Sequence, residues 1–104
     1  MAVRRVILAT AEYDPLKSKA VRLCREICDA YNLELQVLDE DWDFLIKYGE
    51  RDEIGGIDLP QIFIEYEDGK IEHVMTRFPL NKKGKIDYIK AKDILEEKIR
   101  EGKT

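Results

Sequence analysis

The clearest structural signal in the chain is the segment GGIDLPQIFIEYEDGK, which runs from Gly55 to Lys70. Apolar and polar residues alternate after Pro60, and this period of two predicts a strand over Gln61–Tyr66. Proline lacks a backbone N–H and is tolerated at the start of a strand. Asp68-Gly69 is a tight-turn signal between two apolar segments, so the pattern predicts a β-hairpin whose second strand is Ile71–Phe78.

The remaining elements are predicted from the spacing of apolar residues on either side of this hairpin. The pattern favours a buried strand over Val3–Ala9, a helix over Ser18–Tyr31, an alternating strand over Leu33–Leu38, a short helix capped by Asp41, and a final helix over Asp87–Glu101. The order β-α-β-α-β-β-α predicts an α/β fold with a mixed four-stranded sheet and helices on both faces. The first two strands should be parallel, and the last two antiparallel.

Length and composition restrict the classes of protein that the chain can be. Its 104 residues suit one domain, spanning residues 1–104, and 44% apolar residues argue against disorder. A net charge of -4 gives no support to nucleic-acid binding. The sequence has no apolar run of roughly 18 residues and no signal-peptide pattern, so we expect a cytoplasmic protein without a membrane partner. The abundance of Lys and Glu favours a thermophilic source.

The segment around Pro60 resembles a known family. Gly55–Ile64 is similar to the glutaredoxin segment Gly-x-x-Thr-Val-Pro-Gln-Ile-Phe-Ile, and the hairpin that ends in Asp-Gly-Lys resembles that of thioredoxin. The resemblance implies a thioredoxin-like fold, a cis Leu59–Pro60 bond, and a groove in which the backbone of Leu59 pairs with an extended peptide. It thereby indicates Tyr13, Leu59, Pro60 and Gln61 as binding residues.

The chain departs from this family at its active site. The family places Cys-x-x-Cys between the first strand and the first helix, where this sequence has Asp14-Pro15-Leu16-Lys17. Thiol–disulfide exchange needs a sulfur nucleophile, so no catalytic residue is expected at these four positions. An iron–sulfur role would need the same cysteine, and no cofactor is predicted. Glutathione binding is not expected either, because Glu72-His73-Val74 stand where glutaredoxins have Gly-Gly and an acidic residue.

The two cysteines present, Cys24 and Cys28, lie four residues apart on the apolar face of the first predicted helix. A regular helix does not bring such a pair into disulfide geometry, and we expect both to pack in the core. A metal site is not predicted, because the single His73 is distant in sequence and two thiols need further ligands.

Two further features of the sequence allow more than one interpretation. Trp42 and Phe44 flank Asp43, and they either form an exposed aromatic surface or contribute one ring to the core. The basic cluster Asn81–Lys85 favours a solvated turn over a nucleic-acid patch.

Two functions of different classes are therefore open. The first is a non-catalytic module that binds a peptide or protein in the groove beside Pro60. The alternative is a divergent thiol–disulfide oxidoreductase, acting in electron transfer and cell redox through Cys24 or Cys28. The sequence does not determine the oligomeric state.

Overall fold

The computed structural model describes residues 2–102 and contains four strands and three helices in that range. The elements are β1 (Val3–Thr10), α1 (Lys17–Tyr31), β2 (Glu34–Asp39), α2 (Trp42–Tyr48), β3 (Gln61–Tyr66), β4 (Ile71–Thr76) and α3 (Tyr88–Glu101). The predicted order of elements is confirmed. No helix within the described residues is long and apolar enough to cross a membrane.

The four strands form one mixed sheet with the order β2-β1-β3-β4. Strand β1 runs parallel to β2 and antiparallel to β3, and β3 pairs with β4 in the predicted hairpin. Because β1 is bordered on both sides and covered on both faces, its apolar run is nearly continuous.

Each face of the sheet packs against its own helices. On one face, Val6 and Leu8 of β1 lie in a core cluster with residues of α1 and α3. On the other face, Ile7 and Ala9 pack in a smaller cluster with Leu45 of α2 and with Phe63. The predicted arrangement of helices on both faces is therefore confirmed, and the central strands β1 and β3 contribute side chains to both layers.

Specific residues end the elements. Asn32 has a left-handed backbone (φ 56°) at the end of α1, and the Asp41 carboxylate accepts a hydrogen bond of 3.0 Å from Phe44 N–H at the start of α2. Strand β4 stops at Thr76, two residues before the predicted end. The reason is the positive φ of Arg77 (58°), which turns the chain away from the sheet.

We predict that Phe63→Ala lowers the free energy of unfolding by about 3–5 kcal/mol. The Phe63 ring is fully buried and touches the rings of Phe44 and His73 at centroid distances of 5.0 and 5.5 Å. Urea denaturation measures the loss. The control Ile89→Ala, at a residue 74% exposed on α3, should change stability by less than about 0.5 kcal/mol. Equal effects of the two changes would contradict the assigned role of the smaller cluster.

Candidate functional site

The candidate site lies where β1 ends and β3 begins, since Ala9 is paired with Gln61 at that end of the sheet. Leu59 stands between two hollows. The larger, of about 660 Å³, is bounded by the 14–16 turn and by residues of the 76–86 segment. The smaller, of about 200 Å³, is bounded by Tyr13, Trp42 and Ile57. We call the two hollows together, with Leu59 at their centre, the Leu59 groove.

The backbone at Leu59 offers an unpaired donor and an unpaired acceptor. The Leu59–Pro60 peptide bond is cis, and Pro60 is buried. Within residues 2–102, neither the N–H nor the C=O of Leu59 makes a hydrogen bond. The neighbouring carbonyl groups are occupied, because Pro60 C=O accepts from Arg77 N–H at 2.7 Å and Asp58 C=O accepts from Gln61 Nε2 at 3.0 Å. Leu59 can therefore pair with an added strand without losing an internal bond.

Asp14, the first residue of the Asp14–Lys17 turn, is tied into the fold. Only 7% of Asp14 is exposed. Thr10 Oγ1 donates to Asp14 Oδ2 at 2.6 Å, and Leu16 N–H donates to Oδ1 at 2.9 Å. Both carboxylate oxygens therefore hold the turn between β1 and α1, and the backbone bond from Lys17 N–H to Asp14 C=O (3.1 Å) closes it. Asp14 therefore borders the groove and holds the turn in place.

The side chain of Lys17 is bound by two carboxylates. Its Nζ forms ion pairs with Glu12 and, at 2.8 Å, with Asp39 at the end of β2. The hydrogen bond with Asp39, followed by the one with Glu12, raises the pKa of Lys17. The ammonium thus connects the turn to the edge strand, and it does not border either hollow of the Leu59 groove.

The side chain of Gln61 is fully buried beside the groove. Gln61 Oε1 accepts from Glu50 N–H at 2.8 Å, and Nε2 donates to the C=O groups of Glu50 (2.9 Å) and Asp58. A buried amide must satisfy its polar atoms internally, and here it does so by fixing both ends of the loop before Leu59. Gln61 is a positioning residue for the groove.

Aromatic and aliphatic side chains lie exposed on both sides of Leu59. Tyr13 is 65% exposed and Trp42 is 39% exposed on one side, while Leu80 is 59% exposed on the other. Of the two rings considered from sequence, Phe44 packs in the smaller core cluster and Trp42 faces the groove. Large exposed apolar groups clustered around one groove are typical of interaction surfaces.

The wall formed by Thr76, Arg77, Leu80 and Ile86 was not predicted from sequence. Proximity in sequence could not reveal it, because these residues are brought to Leu59 by the hairpin and by the bond from Arg77 to Pro60. One feature of the sequence could have indicated this wall. Leu80 is an apolar residue beside a turn-forming cluster, and it follows the second strand of the predicted hairpin. It is therefore a candidate for contact with Pro60, which opens the first strand of that hairpin.

The thiols of Cys24 and Cys28 are both free, and both residues are buried in the helix-packed core, as predicted. Burial raises the pKa of Cys24 to about 12, and burial raises that of Cys28 to about 11. Since the thiolate is the reactive form, neither side chain is a nucleophile at neutral pH in this conformation.

His73 lies beneath one wall of the groove. Its Nε2 is 2.7 Å from Oγ1 of Thr76, a residue of the larger hollow, and its ring packs against Phe63. Burial lowers the pKa of His73, and the nearby Glu50 opposes this effect only in part. Within residues 2–102, no three side chains of the His, Cys, Asp or Glu type are grouped to hold a metal ion.

No protein-family model matches the chain, and no curated protein and no solved structure is significantly similar to it. The functional argument therefore starts from the geometry of the Leu59 groove.

We predict that a thiol reagent modifies the folded protein very slowly at neutral pH. A pKa of about 11 for Cys28, against an ordinary value of 9.0, lowers the thiolate fraction about 100-fold, and burial blocks access further. The rate of modification is measured with a thiol reagent that releases a chromophore, by following its absorbance. The exposed control Ser18→Cys should react rapidly, and the wild-type thiols should do so only in denaturant. Fast modification of folded wild-type protein would restore the oxidoreductase alternative.

We predict that His73 makes the protein less stable as the pH falls. Its pKa is lower in the folded state than in the unfolded state, so the unfolded chain binds the proton more readily. The stabilisation is present above about pH 6.5 and is lost as the pH falls below that value. Urea denaturation between about pH 7.5 and 5.5, where most carboxylates stay ionised, measures it. The slope of the free energy of unfolding against pH should be smaller in His73→Gln. An unchanged slope would contradict the assignment to His73.

Proposed function

We propose that the chain is a thioredoxin/glutaredoxin-like domain without redox chemistry, which binds an extended peptide segment of a partner in the Leu59 groove. The observation that carries this proposal is the unpaired N–H and C=O of Leu59 between two hollows. A peptide strand can satisfy both groups at once, and the hollows on either side can receive its side chains.

The positions around Leu59 support a binding role over a catalytic one. Where the resemblance would place a thiolate, each oxygen of the Asp14 carboxylate already accepts a hydrogen bond, from Thr10 and from Leu16. The two thiols of the chain are buried with raised pKa values. The groove therefore offers a backbone donor and acceptor and apolar walls, and no thiol is among the residues that border it.

The shape of the groove also fits an extended chain. The larger hollow, at about 660 Å³, has room for several side-chain atoms, and its boundary includes the apolar residues Leu59, Leu80 and Ile86. The smaller hollow continues past Leu59 toward Tyr13 and Trp42. A strand of a few residues across Leu59 would reach both hollows, since each residue advances by about 3.3 Å.

The test is an NMR titration of the protein with a terminally blocked pentapeptide, Val-Gln-Leu-Gln-Gln. We expect weak binding, with a Kd on the order of 0.1–1 mM, and amide shifts at residues 13–16, 57–61 and 76–80. A peptide N-methylated at its central leucine cannot donate to Leu59 C=O, and should bind roughly 3–10-fold more weakly.

Matched variants locate the surface. Tyr13→Ala removes a side chain beside the groove and should weaken binding, whereas Ile46→Ala, at an exposed residue of α2 outside both hollows, should not. Shifts confined to other parts of the molecule, or equal affinity for the N-methylated peptide, would refute pairing at Leu59.

A further inference from the structure

One wall of the Leu59 groove carries only positive charge. The segment from Arg77 to Ile86 contains four cationic residues and no carboxylate, the cations being Arg77, Lys82, Lys83 and Lys85. All four are exposed, and none forms an ion pair with another residue in the 2–102 range. This concentration stands out in a chain of net charge -4. We call residues 77–86 the basic wall.

The basic wall is a fixed structure beside the groove. Asn81 Oδ1 accepts from the N–H groups of Lys83 and Lys85 at 2.9 and 3.1 Å, and Asn81 N–H donates to Lys85 C=O at 2.7 Å. Leu80 and Ile86 form a β-bridge at the base of the turn. Leu80, Gly84 and Ile86 all border the larger hollow. The backbone of the lysines on either side of Gly84 is therefore held next to a residue that borders the larger hollow.

The opposite side of the groove has a different charge. Asp58 and the aromatic residues Tyr13 and Trp42 border the smaller hollow, which contains no cationic residue. Asp14, which borders both hollows, has its two oxygens occupied by hydrogen bonds. The groove is thus polarised, with its unpaired cations on the side of the larger hollow.

We propose that the segment bound in the Leu59 groove is acidic, with an apolar side chain between Leu59 and Leu80 and carboxylates directed to the basic wall. The inference rests on the proposed function, since it names the chemical class of the bound peptide. Charge complementarity at the rim selects the partner, while the apolar hollow and the Leu59 backbone supply contacts that any extended peptide can use. A nucleic acid fits less well, because the cations occupy one side of the groove only and the net charge is negative.

The test compares three blocked pentapeptides that differ only in charge: Val-Glu-Leu-Glu-Glu, Val-Gln-Leu-Gln-Gln and Val-Lys-Leu-Lys-Lys. Their Kd values are measured by NMR titration of the full chain. We expect the acidic peptide to bind about 5-fold more tightly than the neutral one at about 0.01 M salt, and the basic peptide to bind most weakly. The preference should shrink below about 2-fold at about 1 M salt, where the Debye length is about 3 Å.

Two double variants separate local charge from net charge. Lys83→Gln/Lys85→Gln removes two cations from the basic wall and should abolish most of the difference between the Kd values of the acidic and the neutral peptide. Arg25→Gln/Lys70→Gln removes two exposed cations, on α1 and on the β3–β4 turn, and should keep the preference. Equal loss in both variants would overturn the role of the basic wall.

The outcomes distinguish this inference from the function on which it rests. Amide shifts at the groove residues together with equal Kd values for all three peptides would overturn the acidic preference. The proposal that the groove binds a peptide would then still stand. No groove shifts with any peptide overturn both. A single-stranded oligothymidylate that binds as tightly as the acidic peptide, and is displaced by it, would also overturn the inference, because the surface would then recognise polyanions in general.

Discussion

The whole structure depends on the burial of β1 on both of its faces. Val6 and Leu8 point into the layer formed with α1 and α3, while Ile7 and Ala9 point into the layer formed with α2. A shift of one residue in the register of β1 would exchange the two sets of side chains between the faces, so its pairing is strongly specified. The same pairing fixes the position of the Leu59 groove, because the groove forms where β1 ends beside the start of β3.

The turn after β1 is fixed by a buried carboxylate. Thr10, the last residue of β1, donates to Asp14, and Asp14 in turn accepts from Leu16 just before α1. A carboxylate that accepts charge-assisted hydrogen bonds makes a stiff connection.

Local signals in the sequence were sufficient to predict the elements but not the walls of the groove. Asp41 and Asn32 end helices through chemistry that their own neighbours specify. The end of β4 could not be read in this way, because Arg77 adopts a positive φ without being a glycine. The resemblance to glutaredoxins indicated Gln61 as a binding residue, and the fold buries its side chain. Its partners in the 50–58 loop are set by tertiary structure, which no periodicity encodes.

Leu59 lies between two residues that are each held in place by a hydrogen bond. Asp58 on one side is held by the buried amide of Gln61, and Pro60 on the other is held by the backbone of Arg77. The chain is therefore ordered before a ligand arrives, while the two polar groups between these anchors stay unpaired. Ordering a loop during binding costs affinity, and a loop that is already ordered avoids this cost. The proposed peptide would therefore meet the two polar groups of Leu59 in a segment that is already held in place.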